Sequence, residues 1–460
     1  MDAPSRNAVT IPSMFTLVRI RPLDSARRSA VRYVPALLFT RLIGMGRFLI
    51  VAKLLGAARQ PEFGRYSLWL ELINWCVPVL MLGLGDVAER HAADFARHGR
   101  LGALIRRHAA RLAAMALPAV ACIMLASPFV GGALLREPGL SGAAAGGILS
   151  LIALNALALV YYQYTATLLC GLRAYTASAT METLASLLLL GFSVAAALAP
   201  AGNALWLLAA YAASNLLPAA LLSVEIRRFM RLPVTPLAEG APEPRHPRPS
   251  FATFALARLL LTMTFGLLAM WSVKYLSPAA MADRLAGQFT MPYRVGQFLG
   301  FAGVTLWSSA YAIAASAWAA GDRNRARGLL LKIGGAGGLA LAAAGAMVLV
   351  CKPVLLMLLD ASYRPAIEAF LSPALGMFIL YAMLAWASLM GDLHECSWIG
   401  ALLWGIAVCT QLAVLLGLHL SQARISPGGA SLAASTAGLL LALVAGLAFV
   451  PGLLRALRSG

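Results

Sequence analysis

Charge is what this chain has little of. Asp, Glu, Lys and Arg make up 12% of its 460 residues, about half the share of an ordinary soluble domain. That excludes a protein with a mainly aqueous surface. Acid is scarcer than base, with 18 Asp and Glu against 37 Lys and Arg and a formal net charge of +19. Cysteine is sparse too: Cys76, Cys122, Cys170, Cys351, Cys396 and Cys409 are scattered and form no CxxC, which argues against a disulfide framework and against a zinc site. A cleaved signal peptide is not expected either. Residues 1–32 carry six arginines and are interrupted by Pro12 and Pro22, too long and too basic for such a leader. They read as a basic tail, or over Met14–Tyr33 as an interfacial segment.

What the chain does have is apolar length. Hydrophobic residues are 60% of the total and mean hydropathy is +0.79. Apolar runs fall at 34–54, 66–85, 111–134, 145–171, 176–199 and 203–224, then, after a polar Pro-rich stretch, at 251–275, 288–315, 329–358, 369–390, 397–419 and 431–453. Each is long enough to cross a hydrocarbon core of about 30 Å. The expected fold is all-α and polytopic, with about twelve transmembrane helices in two six-helix bundles around a central cavity. The divisions are a basic tail (1–33), a first bundle (34–225), a linker (226–250) and a second bundle (251–460). Of the 37 Lys and Arg, 24 fall on one set of connections and nine on the other. This asymmetry places both termini in the cytoplasm. Because the basic residues lie between apolar runs, no nucleic-acid partner is expected; the lipid bilayer is the first partner.

Four arginines remain inside the runs: Arg41, Arg47, Arg258 and Arg294. An arginine at the bilayer centre costs roughly 2.5–3.5 kcal/mol and is kept where a wet cavity or a partner receives it. A guanidinium fork suits a phosphate or pyrophosphate, so these four are the candidate substrate-binding residues. Arg41 and Arg47 point about 120° apart and differ by about 9 Å in height on an ideal helix, with Gly44 and Gly46 between them to permit a bend. Glu71 is read as the one acid clearly within a span. It either pairs with Arg47 or serves proton or sodium coupling, and pairing needs fewer assumptions. No cofactor is expected.

The halves repeat. Phe63-Gly64-Arg65-Tyr66 opens the second span and Ala286-Gly287-Gln288-Phe289 the eighth, while Gly99 and Gly321 close the corresponding pairs at nearly equal spacing. Arg258 echoes Arg41. Six spans per half make the repeat parallel, with its axis along the membrane normal.

Three stretches resemble one family. LGAARQPEFGRYSLW is similar to the opening of the second helix in bacterial polysaccharide-export flippases, and LGLGDVAERHAADFARHGR to the segment that follows it. QFTMPYRVGQFLGFAGVTLWSSAYAIAASAWAAGDRNRAR resembles their eighth span. The likeness covers about 34 to 390. It implies membership of the multidrug/oligosaccharidyl-lipid/polysaccharide exporter superfamily, a bacterial inner-membrane location, and a polyprenyl-pyrophosphate-linked oligosaccharide as substrate. Glycosyltransferases and a polysaccharide polymerase are then candidate partners, and a monomer is expected. Thr40–Arg47 and Tyr293-Arg294 are similar to cavity-lining elements of the related lipid II flippase. That relative has fourteen spans and a basic residue in its second helix, and the run 66–85 has none. Polysaccharide-unit export therefore fits better than peptidoglycan export.

Aromatics within the runs, Tyr161, Tyr162, Tyr164, Trp271, Tyr293 and Trp307, are candidates to stack on sugar rings, with core packing as the commoner role. His91, Asp94 and His98 share a helix face, but a solvated face explains them without a metal. An enzyme reading finds no paired carboxylates or Ser/His grouping in the short outer loops, so neither a polymerase nor a ligase is expected. A drug/cation antiporter of the same superfamily is the remaining rival. Its chemistry calls for buried acids, whereas the embedded charge here is mainly basic.

Overall fold

The computed structural model describes residues 26–97, 99–136, 141–172, 174–199, 203–230, 251–319, 322–393, 397–421 and 425–456. Most of the basic tail and of the linker expected at 226–250 lies outside them. The first half holds α1 (Ala26–Leu55), α2 (Gln60–Met81), α3 (Leu84–Arg97), α4 (Leu101–Leu135), α5 (Gly142–Gly171), α6 (Tyr175–Leu198) and α7 (Ala204–Met230). The second holds α8 (Phe251–Thr262), a π-helical turn (Met263–Leu267), α9 (Leu268–Leu276), α10 (Ala282–Ala319), α11 (Arg323–Val350), α12 (Lys352–Leu358), α13 (Arg364–Leu393), α14 (Ser397–Leu420) and α15 (Pro427–Ala456). No strand occurs among the described residues.

Every expected apolar run is helical over most of its length. Among the described residues nine helices are long and apolar enough to cross a membrane unaided. The three remaining candidates, α1, α2 and α10, are the helices that carry Arg41, Arg47, Glu71 and Arg294. α10 of the second half packs on both α1 and α2 of the first. Arg47, Glu71 and Arg294 are tolerated because protein, rather than lipid, surrounds them; α2 is buried along nearly its whole length.

Helix pairing repeats between the halves. The contacts α1–α6, α2–α5, α5–α7 and α6–α7 recur as α8–α14, α10–α13, α13–α15 and α14–α15. This is the pattern a twofold along the membrane normal generates from a parallel repeat. The glycine run of α11 serves close packing: Gly334 lies on the Trp386 ring, and a Cβ on Gly337 would come within 2.8 Å of Trp307 Nε1.

Several boundaries differ from the sequence reading. α1 begins at Ala26, within the segment taken as tail. α2 begins at Gln60, so Arg65 belongs to it, and the second helix does carry a basic residue at its start. α2 ends where Leu82 adopts φ 48° and Gly83 φ 75°, a left-handed C-terminal stop. A further helix, α3, follows in what was read as a connection. Its Leu84, Val87, Ala88, Ala92 and Phe95 are buried on one face, at helical spacing, against α5 where Gly171 meets the Ala88 carbonyl. The side chains of His91, Asp94 and His98 are outside the described set. The run 329–358 is two helices, α11 and α12, and α8 and α9 are joined through the π-turn.

Candidate functional site

The seam is built on the repeated glycines. Gly64 and Gly287 mark the crossing of α2 and α10. A Cβ on Gly64 would fall 2.8 Å from the Gly287 nitrogen and against the Asp283 carbonyl oxygen, and one on Gly287 would fall 2.6 Å from the Gln60 carbonyl oxygen. Only glycine allows backbones this close.

Seven residues beyond Gly64 stands Glu71, and seven beyond Gly287 stands Arg294. Equivalent positions of a twofold repeat meet only near its axis, and these two do. Arg294 Nη1 lies 2.5 Å from Glu71 Oε1, with the side chains 7% and 2% exposed. Arg294 Nη1 also donates to Gln297 Oε1. The second carboxylate oxygen of Glu71 rests against Gly266, in the π-turn between α8 and α9. Expected to pair with Arg47, Glu71 pairs with Arg294 instead, because α2 packs far more extensively on α10 than on α1.

Arg47 joins the same cluster from α1. It is 5% exposed, and its Nη1 donates to Tyr66 Oη at 2.5 Å. The Phe48 ring receives both guanidinium groups, Arg47 at 4.2 Å and Arg294 at 4.7 Å from its centroid, within the range of a cation–π contact. Three guanidinium nitrogens, Arg47 Nε and Arg294 Nε and Nη2, are buried with no hydrogen-bond partner among the described residues. The cluster thus has two cations, one carboxylate and spare donors.

Arg41 and Arg258 form a second level. Arg41, on α1, sits 5.7 Å from the Phe301 centroid on α10. Both it and Arg258, on α8, act electrostatically on Tyr381 of α13. Their side chains are exposed, unlike those of Arg47 and Arg294. From Arg41 to Arg47 the rise is about 9 Å along a helix, so the levels are distinct. A second embedded acid, Glu182, is half-buried on α6 and was overlooked although it lies within the run 176–199.

Most of the aromatics proposed for sugar stacking are packed inside. Trp307 is fully buried and donates Nε1 to the Ile333 carbonyl at 3.4 Å. Tyr293 is fully buried against Phe378 and Phe289, and Trp271 is buried beside Tyr275. Tyr164 is buried with its hydroxyl 3.0 Å from His108 Nδ1. Core packing accounts for these four here. Tyr161 is exposed, bonded to Ser223, and Tyr162 is half-buried. Sequence reasoning missed Phe48, Tyr66 and Gln297, which hold the guanidinium groups in place.

Where α2 and α10 begin, a polar clasp joins the halves. Asp283 Oδ2 accepts from Arg65 Nε at 3.0 Å, and its Oδ1 pairs with the buried Lys274 Nζ at 2.8 Å. Arg65 also pairs with Glu62 at 2.6 Å. Gln60 Oε1 receives Arg284 Nε and Gln288 Nε2 at 3.3 and 3.4 Å.

No family model matches the chain, and no curated protein matches it in sequence. Solved structures do. A MATE in complex with MaL6 aligns with a TM-score of 0.69 at 13% identity, covering 95% of this chain and 98% of that one. An inward-facing multidrug resistance MATE family transporter of the MOP superfamily gives 0.67 at 14% identity, covering 91% and 96%. A MOP superfamily transporter from Pyrococcus furiosus gives 0.68 at 12% identity, covering 95% and 97%; its binding pocket is described as having reversed polarity, suggesting a different function. The chain has the fold of the MATE transporters of the MOP superfamily. In this chain the two halves meet along the α2–α10 seam.

Proposed function

We propose that the chain is a flippase that moves an anionic, pyrophosphate-linked oligosaccharide lipid across the bacterial inner membrane by alternating access of its two halves. The observation that carries this reading is the buried cluster at the seam: Arg47 and Arg294 against Glu71, with three guanidinium nitrogens unsatisfied. A buried cation without full compensation is costly, and a phosphoryl group supplies the acceptors those donors lack. The exposed Arg41 and Arg258 offer a first point of capture, and the lipid tail stays in the bilayer. No bond is made or broken, so the protein acts as a carrier. The resemblance of the second- and eighth-span motifs to polysaccharide-export flippases supports the same substrate class.

A second reading has its own support. The likeness to multidrug MATE structures fits a drug/cation antiporter at least as well, and Glu71 and Glu182 are acids such chemistry could use. The sign of the embedded charge favours the anion. The experiment is deletion of the coding sequence in its host, scored for lipid-linked oligosaccharide retained on the inner leaflet and for sensitivity to cationic drugs. Retained oligosaccharide with unchanged drug sensitivity is expected. Normal surface polysaccharide with new drug sensitivity would select the antiporter.

A further inference from the structure

We propose that Glu71 is an internal stand-in for the substrate's anion: it neutralises Arg294 in the empty carrier, is displaced when a phosphoryl oxygen takes its place, and picks up a proton as it leaves. The inference rests on the anionic-substrate reading and adds a linkage to protons.

Three observations carry it. Glu71 and Arg294 occupy equivalent repeat positions, so the pair sits where the halves meet and forms an ion pair with no ligand between them. Arg294 Nη1 also donates to Gln297 and the guanidinium lies over the Phe48 ring, while its buried Nε and Nη2 have no hydrogen-bond partner among the described residues. A phosphoryl group that enters the seam can therefore take these two donors before it competes for Nη1. Finally, Arg294 is the one cation paired with Glu71 among the described residues. Arg47 is committed to Tyr66 and Phe48. The other polar groups in electrostatic reach among the described residues are Asn74 on α2, Tyr211 on α7 and Tyr293 on α10. Toward the π-turn the Glu71 carboxylate lies against Gly266, which has no titratable group.

A carboxylate that loses its cation in a buried site is neutralised by protonation rather than left charged. Net charge in the seam is then nearly the same with and without substrate. In the empty carrier Glu71⁻ faces Arg294⁺; in the loaded one the phosphoryl oxygen does, beside neutral Glu71. That balance lets the empty carrier return without dragging an unpaired guanidinium through the membrane.

The test uses the full chain in lipid nanodiscs with inorganic pyrophosphate as probe, titrated by calorimetry in buffers of different ionisation heat. Pyrophosphate itself exchanges protons, so the quantity of interest is the difference between wild type and Glu71→Gln. The wild type is expected to take up about one proton more per pyrophosphate, with affinity falling by up to tenfold more per pH unit. Glu71→Gln is expected to bind pyrophosphate about tenfold tighter, its competitor gone. Infrared difference spectra of the wild type provide a check that needs no variant: a protonated-carboxyl band should appear on adding pyrophosphate. Equal proton counts in the two proteins, or pyrophosphate binding with no such band, would overturn the stand-in role and leave the anionic-substrate reading intact. Absence of pyrophosphate binding in both would overturn the two together.

Discussion

Replacing Gly64 by alanine is a demanding test of the seam. The added Cβ would meet three backbone atoms of α10: the Asp283 carbonyl oxygen, the Gly287 nitrogen at 2.8 Å and the Asp283 carbonyl carbon at 2.9 Å. No rotamer change relieves a clash between backbones, so α2 and α10 must move apart. Overpacking typically costs about 1–3 kcal/mol, and with nothing soft to yield the expected cost lies near the upper end, about 3 kcal/mol. The displacement would also stretch the Arg65–Asp283 pair. Gly335 on α11 is the control, since a Cβ there meets nothing within 4 Å. There alanine should stabilise by up to about 1 kcal/mol through helix propensity. Thermal unfolding of the purified proteins, followed by size-exclusion fluorescence, reads the difference. Gly64→Ala should melt several degrees below wild type and Gly335→Ala at or above it. If Gly64→Ala melts with or above Gly335→Ala, the close crossing of α2 and α10 is wrong.

Removing Glu71 or Arg294 alone leaves a buried group unpaired, so each should cost about 3–5 kcal/mol when truncated, and the double variant much less than the sum. The same cycle on Arg47 and Glu71 should show little coupling, with protein abundance in membranes as the readout. Asp283→Asn removes the carboxylate that pairs with Lys274, which is 1% exposed; it should lower the melting temperature, and adding Lys274→Met should restore much of the loss. Trp307→Ala should cost about 3–5 kcal/mol as a core cavity, so any fall in export should track a fall in abundance. Loss of export at full abundance would assign Trp307 to the substrate instead.

The helical framework was legible because each run supplies about twenty apolar residues, enough to mark a span by length alone. α3 was not, because its apolar face is spread at helical spacing among charged residues, as in Leu84, Val87, Ala88, Ala92 and Phe95, and no continuous run betrays it. The embedded arginines stood out against their apolar surroundings, but their partners depend on which helices touch. Spacing along α1 fixes the relative faces of Arg41 and Arg47 and says nothing of α10. The repeat held more than was taken from it. Once Gly64 is aligned with Gly287, Glu71 falls opposite Arg294, a pairing readable from the sequence. For Tyr293 and Trp307 the sequence left stacking and core packing both open, because composition does not tell which side of a helix meets its neighbours; both side chains are fully buried.

The central claim is that the embedded arginines receive an anionic lipid-linked substrate, and reconstitution tests it most directly. The protein is placed in proteoliposomes with a fluorescent polyprenyl-pyrophosphate oligosaccharide, and its movement between leaflets is read by a membrane-impermeant quencher. Wild-type protein should speed the movement. Arg294→Gln combined with Glu71→Gln, which removes both members of the ion pair together, should abolish it, and Glu71→Gln alone should still permit binding. Movement at the wild-type rate by the Arg294→Gln, Glu71→Gln protein, at equal reconstituted amount, would contradict the account.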